Sequence, residues 1–250
     1  MLTPHPENEL FLGDCLKFLV SQESGTFDAL ITDPPYASGG LHMGARQAAP
    51  SKKYMQGSGP TKWAEAEFVG DHRDQRSHLA WCNLWLSECY RLLRDGSPVC
   101  LFTDWRQLPM TTDALQMAGF TWRGIAVWDK TEGTRPQKGR FRAQAEYIVW
   151  GSKGAMPLER EVPVLPGVFR ECVRKADKHH TTGKPTDVMR QIVKICRPGG
   201  RILEPFVGSG TTLVAAELEG YSWAGCEMTE HYHAVTADRL AGLQTPLLAM

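Results

Sequence analysis

The sequence predicts an α/β fold built on a largely parallel sheet. Strand and helix signals alternate along most of its 250 residues. Several short apolar runs stop abruptly in turns, and two of those turns hold chemically specialised residues. Phe27-Asp28-Ala29-Leu30-Ile31-Thr32 is such a run, cut off by two prolines. A helical stripe follows over about 78–94, with Leu79, Cys82, Leu86, Cys89 and Leu93 on one face. Asp95-Gly96 ends it, and Pro98 to Thr103 reads as the next strand. A helix over about 107–117 is closed by Gly119, and strands over about 124–128 and 147–150 flank a basic loop. From Gly151 to His179 no period stands out. Pro185 suits the first turn of a helix reaching about Cys196, Pro198-Gly199-Gly200 breaks it, and Arg201 to Leu203 forms a strand. A helix from near Ser209 to Gly220, a strand over Ser222 to Cys226 and a helix over about 230–243 complete the order.

Composition agrees with one globular domain over residues 1–250, since 42% hydrophobic and 22% charged residues suffice for a single sizeable core. No stretch approaches the roughly 20 apolar residues of a membrane span. Met1-Leu2-Thr3-Pro4-His5-Pro6 lacks the charged head and apolar run of a leader, so a cytoplasmic protein is expected. Seven cysteines without a Cys-x-x-Cys pair suit a reducing compartment, and Cys82 and Cys89 read as buried packing. His179-His180 and His231-x-His233 have no third ligand at suitable spacing, and no metal is expected. Trp81 and Trp85, four apart on a helix, suit either the core or a dimer contact.

Equal numbers of basic and acidic residues, 28 of each, argue against a protein that coats nucleic acid by bulk charge. The distribution is uneven, however. Between Ala37 and Trp63 stand Arg46, Lys52, Lys53 and Lys62 with no acid. Lys130, Arg135, Lys138, Arg140 and Arg142 face a single Glu132, and Arg170, Arg174, Lys175, Lys178 and Lys184 outnumber Glu171 and Asp177. On one face these loops would hold phosphates; apart, they are three solvated loops.

Two motifs carry the chemistry. In Glu204-Pro205-Phe206-Val207-Gly208-Ser209-Gly210-Thr211 a strand runs through glycines into a helix, where the backbone can approach a ligand and helix amides favour an anionic group. Glu227 ends the next strand, about 20 residues on, where a carboxylate can accept both hydroxyls of a ribose. The second motif is Asp33-Pro34-Pro35-Tyr36. Two prolines remove two backbone donors and leave carbonyls pointing out of a rigid turn. The Asp33 carboxylate and the Pro34 carbonyl can then accept both hydrogens of an exocyclic amine, with Tyr36 stacked on the base.

The pair of motifs resembles the amino-methylating DNA methyltransferases. With the catalytic half before the cofactor half, the chain is similar to their circularly permuted beta class. Leu12-Gly13-Asp14-Cys15 resembles the family's Gly-Asp element, at the adenine end of the cofactor. His180, Thr182, Lys184 and Pro185 match its His-Pro-Thr-Gln-Lys-Pro element, near the methionine end, while Thr181 and Gly183 depart from it. Glu204 stands where the family often has Asp. The resemblance implies a doubly wound, Rossmann-like sheet of seven mostly parallel strands with one reversed. It also implies S-adenosylmethionine as cofactor, double-stranded DNA as partner, and Asp33, Pro34, Pro35 and Tyr36 as catalytic residues. Asp14, Cys15, Asp33, His180, Thr182, Lys184, Glu204, Pro205, Phe206, Gly208, Ser209, Gly210, Thr211 and Glu227 are the implied cofactor contacts.

Asp at the head of the catalytic turn favours adenine N6 as target, with cytosine N4 the close alternative. RNA methylation and an inactive cofactor-binding partner subunit stand further off. Lys52, Lys53, Arg135, Lys138, Arg140 and Arg142 are the expected phosphate contacts. Target recognition is expected in residues 151–179, a small region, with help from an insertion over 37–76 in which Tyr54 or Trp63 serves as a wedge. A homodimer would supply further contacts, and loose specificity would resemble some phage or prophage methylases.

Overall fold

The structure, a computed structural model, describes residues 8–37, 73–134, 136, 138–172 and 184–244. Eight strands form one sheet: β1 (Glu9–Leu12), β2 (Ala29–Thr32), β3 (Pro98–Thr103), β4 (Thr121–Asp129), β5 (Ala145–Ser152), β6 (Val168–Arg170), β7 (Arg201–Glu204) and β8 (Ser222–Glu227). Their order is β1-β8-β7-β2-β3-β5-β4-β6. Neighbours are parallel except where β5 meets β3 and β4, so β5 is the reversed strand among those described.

Among the described residues six α-helices cover the sheet: α1 (Cys15–Ser21), α2 (Gln75–Leu92), α3 (Leu108–Met117), α4 (Thr186–Ile192), α5 (Thr211–Leu218) and α6 (Glu230–Gln244). Successive strand residues point to opposite faces. Leu30, Leu101 and Leu203 therefore pack with Phe18, Trp85 and Leu115 from α1, α2 and α3. Ile31, Phe102 and Ile202 pack with Val188, Leu213 and Leu240 from α4, α5 and α6. Covered on both faces, the central strands read as continuous apolar runs, which is why the sequence reveals them.

The expected count of seven strands is corrected to eight. The stretch without a period contains β6, three residues at the sheet edge paired with Val127, Trp128 and Asp129. Only Phe169 of β6 is buried, too little for an alternation to register. β2 begins at Ala29 rather than Phe27 because Phe27 makes a lone bridge to Leu93. Asp28 is drawn into a buried ionic knot. Its carboxylate accepts from Arg94 Nη1 at 2.6 Å, Arg197 Nε at 2.7 Å and the Arg201 amide at 2.9 Å. Burial works against the charge, but Arg197 and Arg94 outweigh it and hold the carboxyl below its ordinary value.

Trp85 is 1% exposed and meets Phe206 edge-on at 5.0 Å, while Trp81 lies 5.4 Å from the same ring. Trp85 thus fills the core beneath the second motif, and Trp81 packs against that core. Cys82 and Cys89 are buried as expected. Among the described residues no helix is long and apolar enough to cross a membrane, and no cluster of His, Cys, Asp or Glu is placed to hold a metal ion.

Gly225 shows how tightly β8 meets the turn after β7. A Cβ there would stand 2.4 Å from Val207 Cγ2, 3.1 Å from Leu213 Cδ1 and 3.2 Å from the Glu204 carbonyl. Gly225→Ala is expected to destabilise by about 1–3 kcal/mol. Urea unfolding should show a lower midpoint at unchanged slope, and an unaltered midpoint would contradict this packing.

Candidate active site

Because β2 lies parallel to β7, with Leu30 opposite Leu203, the two strands run out at the same sheet edge. Beyond them the chain diverges. β2 leads through α2 to β3 on one side, and β7 through α5 to β8 on the other, which opens a crevice between them. A cavity of about 620 Å³ lies there, lined by Asp33 to Tyr36 from the first turn and by Pro205 to Ser209 from the second. The hydroxyl of Thr32 donates to Glu204 Oε1 and joins the strand ends directly.

On the glycine side, Gly208 has φ +55° and an added Cβ would meet nothing within 4 Å, so its backbone faces open space. Its amide donates to Glu227 Oε2 at 2.9 Å. Glu227 Oε1 accepts from the Thr229 amide and hydroxyl at 2.8 and 2.7 Å. Three of the roughly four acceptor positions of Glu227 are thereby used. One position on Oε2 is left for a ligand. Gly210, at φ +84°, is absent from the cavity wall; its Cβ would strike Thr236 Cγ2 at 2.7 Å. The missing side chain lets α6 pack against this turn. Asp14 caps α1, accepting from the Leu16 and Lys17 amides at 3.0 and 3.2 Å, and lines the cavity with Cys15, Ser209 and Thr211.

Glu204 is 1% exposed and lies between the two halves. Besides Thr32, the Phe206 amide donates to it at 3.0 Å and Thr212 Oγ1 at 2.8 Å. No cation pairs with it among the described residues. Burial pushes its pKa up to about 8, against these three hydrogen bonds.

The first turn carries a dense ionic network. Lys184 Nζ donates to Asp33 Oδ2 and stands 3.3 Å from Glu146 Oε2, whose other oxygen pairs with Lys130. The Tyr36 hydroxyl donates to Asp33 Oδ1 at 2.6 Å. Lys184 Nζ also lies 5.5 Å from the Tyr36 ring centroid and 5.2 Å from that of Phe102. Burial disfavours the Lys184 ammonium, but Asp33 and then Glu146 outweigh it and raise its pKa above the ordinary lysine value. Glu146 is likewise held below its ordinary value, burial being overcome by Lys184 and Lys130. Tyr36 moves well above its own, through burial and the adjacent Asp33 and Glu146 charges.

Lys184, expected at the cofactor, is thus bound to the catalytic turn. Sequence reasoning missed Glu146, the second residue of β5, one residue before the stretch read as a strand. It also missed Asp104, Trp105 and Arg106, which follow β3 at the same sheet edge and line the cavity. Of the expected phosphate contacts, Lys138 and Arg140 are exposed, whereas Arg142 Nη1 donates to the Glu132 and Thr134 carbonyls at 2.7 and 2.6 Å and braces its own loop. Lys52, Lys53, Tyr54, Trp63, Arg135, His180 and Thr182 lie outside the described residues.

A family described as DNA methylase, of the N6 and N4 type, matches residues 27–165 and 165–238. The chain belongs to this family. Its cofactor is S-adenosylmethionine. YubD of Escherichia coli (strain K12), provisionally named a methylase, is 27% identical over 233 residues, covering 93% of this chain and 89% of its own. The structure of M1.HpyAVI in complex with S-adenosylmethionine matches with a TM-score of 0.66 at 19% identity, over 93% of this chain and 98% of that one. The PvuII DNA methyltransferase, which is cytosine-N4-specific, matches with a TM-score of 0.71 at 15% identity, over 99% and 89%. The doubly wound fold is that of these enzymes.

The cavity's residues suit this methylase's cofactor. Asp14, Glu204 and Glu227 offer negative charge or acceptors to a cationic nucleoside, and Gly208 leaves room for it.

Two outcomes test the site's electrostatics. Lys184→Met leaves Asp33 and Glu146 facing each other without their shared cation, and should cost about 3 kcal/mol of stability in denaturant unfolding. A loss below about 1 kcal/mol would show the network to be incidental. Glu204 ionises near 4.5 when unfolded and near 8 when folded. Its protonated form therefore favours the fold fully below about pH 4.5, and this contribution falls as pH rises to about 8. The unfolding free energy of the wild type should decline over that range relative to Glu204→Gln; parallel pH profiles would sink the assignment.

Proposed function

We propose that this DNA methylase transfers a methyl group to the N6 amine of adenine in double-stranded DNA, on a base turned out of the helix. The observation that carries the proposal is the single cavity lined by both the Asp33–Tyr36 turn and the Gly208 turn. When bound, S-adenosylmethionine supplies a methyl on a cationic sulfur. The remaining work falls to the chain. The amine's lone pair is delocalised into the ring, so acceptors for its hydrogens help free it for attack. Asp33 serves because each of its oxygens keeps a second acceptor position beside Tyr36 or Lys184. The Pro34 carbonyl is the other acceptor, and the Tyr36 ring stacks on the base.

The Asp33 carboxylate, held in place by Lys184 and Tyr36, accepts hydrogen bonds and then the proton that the methylated nitrogen must lose. Gly208, Ser209 and Thr211, with Lys184 nearby, would hold the cofactor's methionine end, and Asp14, Cys15 and Glu227 would hold its nucleoside end. Rate then comes mainly from in-line placement of nitrogen, carbon and sulfur. Lys138 and Arg140 hold phosphates at the rim. Asp33 supports adenine, since Ser at this position is the family's commoner choice for cytosine. The likeness to the cytosine-N4-specific PvuII enzyme supports the second reading, N4 of cytosine, by the same mechanism.

Mass spectrometry of nucleosides from unmethylated DNA incubated with protein and cofactor is the test. N6-methyladenine is expected. N4-methylcytosine would transfer the assignment to the second reading, and no methylated base despite cofactor binding would refute both. Asp33→Ala should lower kcat at least 1000-fold, roughly the ~4 kcal/mol of one lost transition-state contact, while cofactor affinity stays within a few-fold.

A further inference from the structure

Among the aromatic residues lining the cavity, most are committed elsewhere. Trp81 and Phe206 pack on the core beneath, and the Tyr36 hydroxyl is tied to Asp33. Trp105 is different: it lines the same cavity yet is 61% exposed. Its position is well defined. Asp104 Oδ1 accepts from the Arg106 and Gln107 amides at 3.0 and 2.9 Å, a tight turn that opens α3. Gln107, itself 4% exposed, reaches back with Nε2 to the Ala37 carbonyl at 3.3 Å, one residue beyond Tyr36. The Trp105 turn is therefore braced against the catalytic turn. The Arg106 guanidinium lies 4.8 Å from the Trp105 ring centroid, which puts a fixed positive charge beside the indole.

An indole held open at the mouth of a cavity, on a braced turn, with a guanidinium beside it, has the chemistry of a stacking platform for a nucleotide. Aromatic rings stack on any base, and arginine favours the adjoining phosphate. We propose that Trp105 stacks on the target base as it leaves the duplex and holds it extrahelical, with Arg106 on the phosphate beside it. This rests on the DNA reading above and adds a positioning residue to it.

Extrusion of a base costs less when it has no partner. The test therefore uses two unmethylated duplexes, each carrying one site that the wild type methylates, identical except that the target faces its normal partner in one and an abasic position in the other. On the paired duplex Trp105→Ala should lose roughly 10- to 100-fold in kcat/KM, the range of base–aromatic stacking. The loss on the abasic duplex should be at least several-fold smaller. Trp105→Phe should recover most of the loss. Trp105→Leu, which keeps apolar bulk without a π face, should behave as the alanine variant does and carries the test if that variant fails to bind S-adenosylmethionine in calorimetry. Equal losses on both duplexes, no loss, or full activity of the leucine variant would overturn the proposal. Wild-type protein that methylates neither duplex would instead remove the DNA reading, and this inference with it.

Discussion

The pairing of β2 with β7 brings together two turns that the chain separates by about 170 residues, and the Thr32 hydroxyl bonded to Glu204 fixes their spacing. Two parallel strands that end at one edge must release their chains there. When the two chains leave in opposite directions, no crossover helix lies over the gap, and a crevice forms without any sequence dedicated to making it. What the sequence must supply is residues that tolerate the edge. Pro34 and Pro35 stop β2 without leaving amides unpaired, and Gly208 turns the chain after β7 through a positive φ. The clearance at Gly225 lets β8 come close enough to seat Val207 under that turn.

The two ends of β2 hold contrasting buried carboxyl groups. Asp28, away from the crevice, receives four hydrogen bonds from Arg94, Arg197 and the Arg201 amide and stays ionised. Glu204 receives three hydrogen bonds but no cation, and retains its proton up to about pH 8. Both are buried, Asp28 just before β2 and Glu204 at the end of β7. Guanidinium partners compensate desolvation, whereas hydroxyl and amide donors compensate it only in part. A buried carboxylate left without a cation, at the wall of a cavity proposed for a cationic cofactor, is consistent with a partner that arrives with the ligand. Lys184 shows the complementary arrangement. There one ammonium stands between two carboxylates, Asp33 and Glu146.

Much of this was legible in the sequence because burial on both faces removes polar residues from strands, and because prolines and glycines mark the turns. β3 was read to the residue, and α2, α3 and α6 to within a few. The failures have physical causes. β6 is too short and too near the edge to show a period. Glu146 and Trp105 belong to the site only through strand adjacency, since nothing in Ala145-Glu146-Tyr147 or Asp104-Trp105-Arg106 signals proximity to Asp33. Glu227 was placed correctly at the end of β8, but its local bonds to Gly208 and Thr229 depend on the loop that follows and could not be read from spacing.

The reversed order of the two halves follows from the same geometry. A site made at the junction of β2 and β7 depends on which strands are neighbours, not on which is translated first. Each half closes on its own side: β2, β3, β5 and β4 extend one way, and β7, β8 and β1 the other. Permuted orders are therefore nearly neutral for the chemistry, and the constraint falls on the strand ends. That places the burden of specificity on what rises above the edge, where the Trp105 turn and the basic loop between β4 and β5 stand on the same side as the two catalytic turns.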